Sequence, residues 1–123
     1  MNKKIYKGTI VEIHPKIYSK KIPQALSNKI FYPFINQIKN STLTVVEIFY
    51  QRVDESSFYD FVVNSNNKDM IQFRNQLNID STIVCRNGYK YILIARINPG
   101  NESLFKLPVS FLIKSTKVPL SIY

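Results

Sequence analysis

At 123 residues the chain is one domain's worth, large enough for one hydrophobic core and too short for a second. Hydrophobic residues make up 45% of it, which excludes a chain unable to bury a core. Seventeen Lys and Arg against eight Asp and Glu leave a formal charge of +9, a balance that predicts attraction to polyanions and says nothing about fold. Residues 1–40 hold eight lysines and one glutamate, so most of the excess charge sits in the first third, as a basic face or as a solvated lysine-rich surface. The lone Cys85 excludes an internal disulfide and a thiolate metal cluster, and suits a reducing compartment. No apolar run approaches the roughly 20 residues of a membrane-spanning helix, and the N-terminus reads as neither a signal peptide nor a transit peptide. Membrane insertion is therefore not expected. Heavy use of Ile, Lys, Asn, Tyr and Phe fits AT-rich coding, as of a bacterial, phage or organelle-encoded gene, and the compartment expected is a bacterial cytoplasm or an organelle interior.

In chain order, residues 5–14 read as a first strand, with Gly8 marking a bulge or a sharp coil and Pro15 ending it. Residues 15–41 carry three prolines, four aromatics and five lysines without a clean period, which predicts a long exposed connection with a helical turn near residues 24–28. Residues 43–52 form a second strand. Thr44, Val46, Ile48 and Tyr50 fall on one face, and Val45, Glu47, Phe49 and Gln51 on the other. The segment VDESS (53–57) is a turn, which makes a hairpin with a third strand at 58–63, itself closed by Asn64 to Asn67. Met70, Phe73 and Leu77 then take helical spacing and predict a short helix with that stripe in the core. Thr82 to Cys85 returns to strand, and Asn87-Gly88 is the pair that best forms a tight hairpin turn. Residues 89–97 extend that strand or form the other hairpin arm. NPGNE is a further turn, residues 105–113 are the last strand, and 114–123 are a short tail.

This order is that of the five-stranded Greek-key barrel known as the OB-fold, with one helix between strands 3 and 4 plugging an end. The fold class expected is thus all-β, a single OB-fold domain over residues 1–123. A small two-layer α+β domain with the same elements is the competing architecture.

Gripping single-stranded nucleic acid requires cations along the backbone and flat faces for the bases. Phe31, Tyr32 and Phe34 lie near Lys20, Lys21, Lys29 and Lys39, and read as a contact surface for nucleic acid, another copy or a larger protein, or as a loop folded over the barrel mouth. Tyr89 and Tyr91 share one strand face, with Lys90 and Arg96 on the other; the pair reads as a base platform or as ordinary cross-strand packing. Arg86 and Lys90 flank the turn, and Arg52 ends the second strand; all three join the candidate set for gripping phosphates. Catalysis is not expected: His14 is the single histidine, glycines stand only at 8, 88 and 100, and the carboxylates are dispersed. No cofactor or metal is expected.

NKKIYKGTIVEIHPKI is similar to the opening NKVxLxGxLxxDPxx of the bacterial and organellar single-stranded-DNA-binding protein family, with Gly8 and Pro15 at the family glycine and proline. FYDFVVNSNNKDMIQFRNQLNIDSTIVCRNGYK follows the family order of aromatic, alternating apolar residues, helix and a segment ending in glycine, and FKLPVSFLI is like the family's final strand. The chain departs from the pattern in lacking tryptophan, with Phe58 at that position and Asn64 where the family has an aromatic. It ends KSTKVPLSIY without an acidic tail, and in this resembles tailless primosomal members and small plastid-encoded homologues. The resemblance implies Phe58 on the outer face of the third strand beside Asp60, where it reads as a base platform or as the edge of the core; subunit pairing through Ile5, Thr9, Val11 and Ile13, which read equally as ordinary core; and a plastid setting. The expected function is non-catalytic binding of single-stranded DNA or RNA. The alternative is an OB-fold structural subunit of a larger organellar assembly that meets mainly protein partners.

Overall fold

The structure, a computed structural model, describes residues 5–18, 38, 41–98 and 104–116. The predicted turns at 24–28 and in NPGNE, the aromatic and lysine loop, and the tail beyond Thr116 lie outside them. The first strand, β1 (Ile10–Ile13), is shorter than expected. Gly8 has φ +90 and sits in a turn ahead of the strand instead of a bulge within it. That turn is fastened by the Tyr6 N–H donating to Thr9 Oγ1 (3.0 Å) and the Thr9 N–H donating to the Tyr6 carbonyl (3.0 Å). Pro15 ends β1 as expected and opens a 3-10 turn, Pro15–Tyr18.

β2 (Leu43–Arg52) has the expected bounds but carries a bulge between Val45 and Glu47. The extra residue, Val46, switches the faces of the strand half-way along it. A 3-10 turn at Val53–Glu55 follows, and then a helix, α1 (Ser57–Asn64), where a third strand was predicted. Two features outweigh the β-rich composition of FYDFVV. Ser56 caps the helix by accepting the Tyr59 N–H (3.2 Å), and Tyr59, Val62 and Val63 bury one helical face at i, i+3 and i+4. The second helix, α2 (Lys68–Leu77), buries Met70, Phe73 and Leu77 as their spacing predicts. Asn67 caps its start and Asn78, at φ +55, ends it. Arg74 of α2 donates to the carbonyls of Val62 (2.9 Å) and Ser65 (2.8 Å), satisfying acceptors at the end of α1 and tying the helices together.

β3 (Ile83–Arg86) and β4 (Tyr89–Asn98) form a hairpin across Asn87 and Gly88, whose φ values of +52 and +83 give the expected left-handed turn. The predicted last strand is two strands: β5 (Phe105–Pro108), a 3-10 turn at Val109–Phe111, and β6 (Leu112–Lys114). Pro108 has no N–H with which to continue a ladder, and the chain turns there. The sheet is antiparallel throughout, in the order β3-β4-β2-β1-β6, with β5 also paired to β4. The expected order paired the second strand with a third in a hairpin. Here β2 pairs instead with β4, after both helices and β3 have intervened.

The architecture is therefore mostly β: an open, six-stranded antiparallel sheet with two helices. Among the described residues no ladder joins its two ends. It is nevertheless curled. In a flat sheet β5 and β6 would stand four strand spacings apart, about 19 Å, yet the four residue steps from Pro108 to Leu112 span about 14 Å at most. At the centre, Phe111 is fully buried and meets Phe58 and Phe73 edge-on, with ring centres 6.4 and 5.8 Å away. β4 is covered on both sides, because Ile92 and Ile94 point one way, Ala95 and Ile97 the other, and all four are fully buried. Lys90 shares the side of Ile92 and Ile94 and donates to Asn64 Oδ1 of α1 (2.8 Å). That contact places α1 on this side. Among the described residues no helix is long and apolar enough to cross a membrane.

Candidate nucleic-acid interface

The opposite side of the same end of the sheet is built by three adjacent strands. Register sets Arg52 of β2 and Val84 of β3 across from Tyr91 of β4, Arg86 across from Tyr89, and Tyr50 across from Leu93. Facing residues of an antiparallel pair project to one side, so three tyrosines and two arginines share a surface turned away from α1. Tyr50 is 51% exposed and Tyr89 42%. The Arg52 guanidinium carbon lies 3.6 Å from the centre of the Tyr89 ring. Arg52 also donates from Nε (2.6 Å) and Nη2 (2.9 Å) to the two carboxylate oxygens of Asp54. This hydrogen bonding raises the Arg52 pKa and lowers that of Asp54, so both are ionised at neutral pH.

Four candidates named from the sequence, Arg52, Arg86, Tyr89 and Tyr91, are thus brought together. Lys90 is not among them, since it projects to the far side toward Asn64. Phe58 is not on a strand face: it lies in α1, half-buried, with its ring edge-on to Tyr59 (5.7 Å) and Phe111. Asp60, expected beside it on the binding face, is exposed on α1 and accepts a hydrogen bond from Asn64 Nδ2 (2.9 Å). Lys20, Lys21, Lys29, Phe31, Tyr32 and Phe34 lie outside the described residues. Arg96 lies opposite the tyrosine side as predicted, 3.3 Å from Glu47 and over the Phe49 ring. Tyr50 was missed as a candidate. Its signal was its place two residues before Arg52 on one strand face.

Leu93 carries this surface into a groove of about 730 Å³, also lined by Tyr6, His14, Thr82, Ile113 and Lys114. His14 Nδ1 accepts the Lys16 N–H (3.1 Å), so the neutral ring carries its proton on Nε2. Burial, and then the charge of Lys16, hold the His14 pKa below 6.5. The unfolded chain therefore binds more protons than the fold between that lowered value and 6.5, and stability falls as pH drops through this interval. The urea midpoint of the wild type is expected to decline there and that of His14→Gln to decline less; equal declines would contradict the assignment. Among the described residues no group of three His, Cys, Asp or Glu could hold a metal ion.

Compared with known proteins, the chain matches no family model, no curated protein and no solved structure.

Proposed function

We propose that this protein is a non-catalytic binder of single-stranded nucleic acid, DNA in the first instance, that stacks unpaired bases on Tyr50, Tyr89 and Tyr91. The observation that carries the reading is the gathering of those tyrosines with Arg52 and Arg86 on one accessible face of three adjacent strands. Stacking is sequence-tolerant because every base has a flat face, and the exposed Arg86 beside the rings holds the backbone. Bases within a duplex are already stacked and offer no face to a ring on a sheet, which gives preference for unpaired strands. The charge of +9 supplies long-range attraction. The likeness of NKKIYKGTIVEIHPKI to the opening of the single-stranded-DNA-binding family supports the same reading, and the curl forced by β5 and β6 supports a sheet related to the OB barrel.

The test is fluorescence anisotropy of labelled oligo-dT, oligo-U and matched duplex at low and physiological salt. Micromolar or tighter binding that prefers the single strands and weakens linearly in log salt is expected. Equal affinity for the duplex, or none at physiological salt, would overturn the reading. In that event the face is the docking surface of a structural subunit in a larger assembly. The pairing of Arg52 with Asp54 favours this second reading, as does the suitability of tyrosine-rich surfaces for protein contact.

A further inference from the structure

Arginines beside a nucleic acid usually grip phosphate, and they do so bidentately through two N–H groups of the guanidinium fork. At Arg52 that capacity is already engaged. Nε and Nη2 both donate to Asp54, at 2.6 and 2.9 Å, and the pair carries no net charge with which to draw a phosphate. Its flat face remains. Cζ lies 3.6 Å from the Tyr89 ring centre, which is van der Waals contact, and the side chain stays 35% exposed beside a 42% exposed tyrosine. Tyr91 stands directly across from Arg52 on the next strand, so this layered pair lies within the tyrosine surface and not at its margin.

We propose that Arg52 acts as a stacking surface for an unpaired base, and that Asp54 is the positioning residue that holds the guanidinium flat against Tyr89. A guanidinium is planar, delocalised and weakly hydrated, so it stacks on rings and bases where an ammonium does not. The division of labour follows. Arg52 with the tyrosines takes bases, while Arg86, which makes no ion pair among the described residues, takes backbone phosphate. The proposal rests on the single-strand reading above and specifies how that face is used.

Salt dependence separates the two roles, because neutralising one phosphate of a single strand contributes about 0.7 to the slope of log K against log salt. Oligo-dT binding is measured across a salt series for the full chain and for Arg52→Gln, Arg52→Lys, Asp54→Ala and Arg86→Gln. Arg86→Gln should weaken binding and flatten the slope by about 0.7. Arg52→Lys, which keeps the charge opposite Asp54, should weaken binding by about fivefold or more, the low end for one stacked base, with the slope unchanged, and Arg52→Gln, which also leaves the Asp54 carboxylate unpaired, should weaken it at least as much. Lysine keeps the charge and loses the plane, so it should not rescue. Asp54→Ala should steepen the slope, as the released guanidinium turns to phosphate. Wild-type affinity in Arg52→Lys, or no change in affinity in either Arg52 variant, would overturn the stacking role while leaving the single-strand reading intact. Failure of the wild type to bind oligo-dT would overturn both.

Discussion

Replacing Phe111 by alanine is expected to destabilise the fold by about 3–5 kcal/mol, a large share of the 5–15 kcal/mol typical of a domain. Phe111 is fully buried in the 3-10 turn that carries the chain from β5 to β6. Its ring is the point at which Phe58 of α1 and Phe73 of α2 meet that turn. The substitution therefore opens a cavity between three elements at once, and removes two edge-on ring contacts worth roughly 0.5–1.5 kcal/mol each beyond their area. Phe111→Leu, which leaves a smaller void, should cost less. Urea unfolding followed by circular dichroism gives the difference; a loss under about 1 kcal/mol would mean that the three elements close over the void, contrary to the tight packing assigned here.

Tyr91→Ala is expected to weaken single-strand binding by about 1–3 kcal/mol, roughly 5- to 150-fold, the range for losing one stacked base. Tyr91 is the central ring of the surface, since its strand position faces Arg52 on one side and Val84 on the other. Tyr91→Phe keeps the ring and should retain most of the affinity. That contrast isolates stacking from any general loosening of the strand. Because the chain has no tryptophan and eight tyrosines, intrinsic emission comes from tyrosine and gives a second readout. Bound oligo-dT should quench it in the wild type and less in Tyr91→Ala. Equal loss of affinity in the alanine and phenylalanine variants would assign the effect to the hydroxyl group.

Much of the fold was legible where the signal is local. The bounds of β2, the Asn87-Gly88 turn and the buried stripe of Met70, Phe73 and Leu77 follow from alternation, turn chemistry and helical spacing within a few residues of each other. The segment at 58–63 misled because its aromatic and β-branched composition suits a strand, whereas a serine cap and the spacing of Tyr59, Val62 and Val63 make it α1. Phe58 was misplaced for the same reason, and the expected barrel order with it. The bulge at Val46 has no local mark, since it exists only in the pairing of β2 with β4. Proline at 108 did offer a signal against one continuous last strand.

The candidate surface divides in the same way. Tyr89 and Tyr91 were visible as a pair from alternation within one strand. Their union with Tyr50, Arg52 and Arg86 depends on register between β2, β4 and β3, which connects residues about 40 positions apart and leaves no periodic trace. Asp54 belongs to a turn whose role appears only once Arg52 is seen against Tyr89.

The central claim is that unpaired nucleic acid lies on the tyrosine and arginine side of β2, β4 and β3. Its most direct test is an amide chemical-shift map of the labelled protein titrated with oligo-dT. The account predicts that the largest shifts fall on Tyr50, Arg52, Arg86, Tyr89 and Tyr91, with Tyr59 to Asn64 of α1 nearly unmoved. Shifts concentrated on α1 and around Arg96, with the tyrosine surface silent, would contradict it.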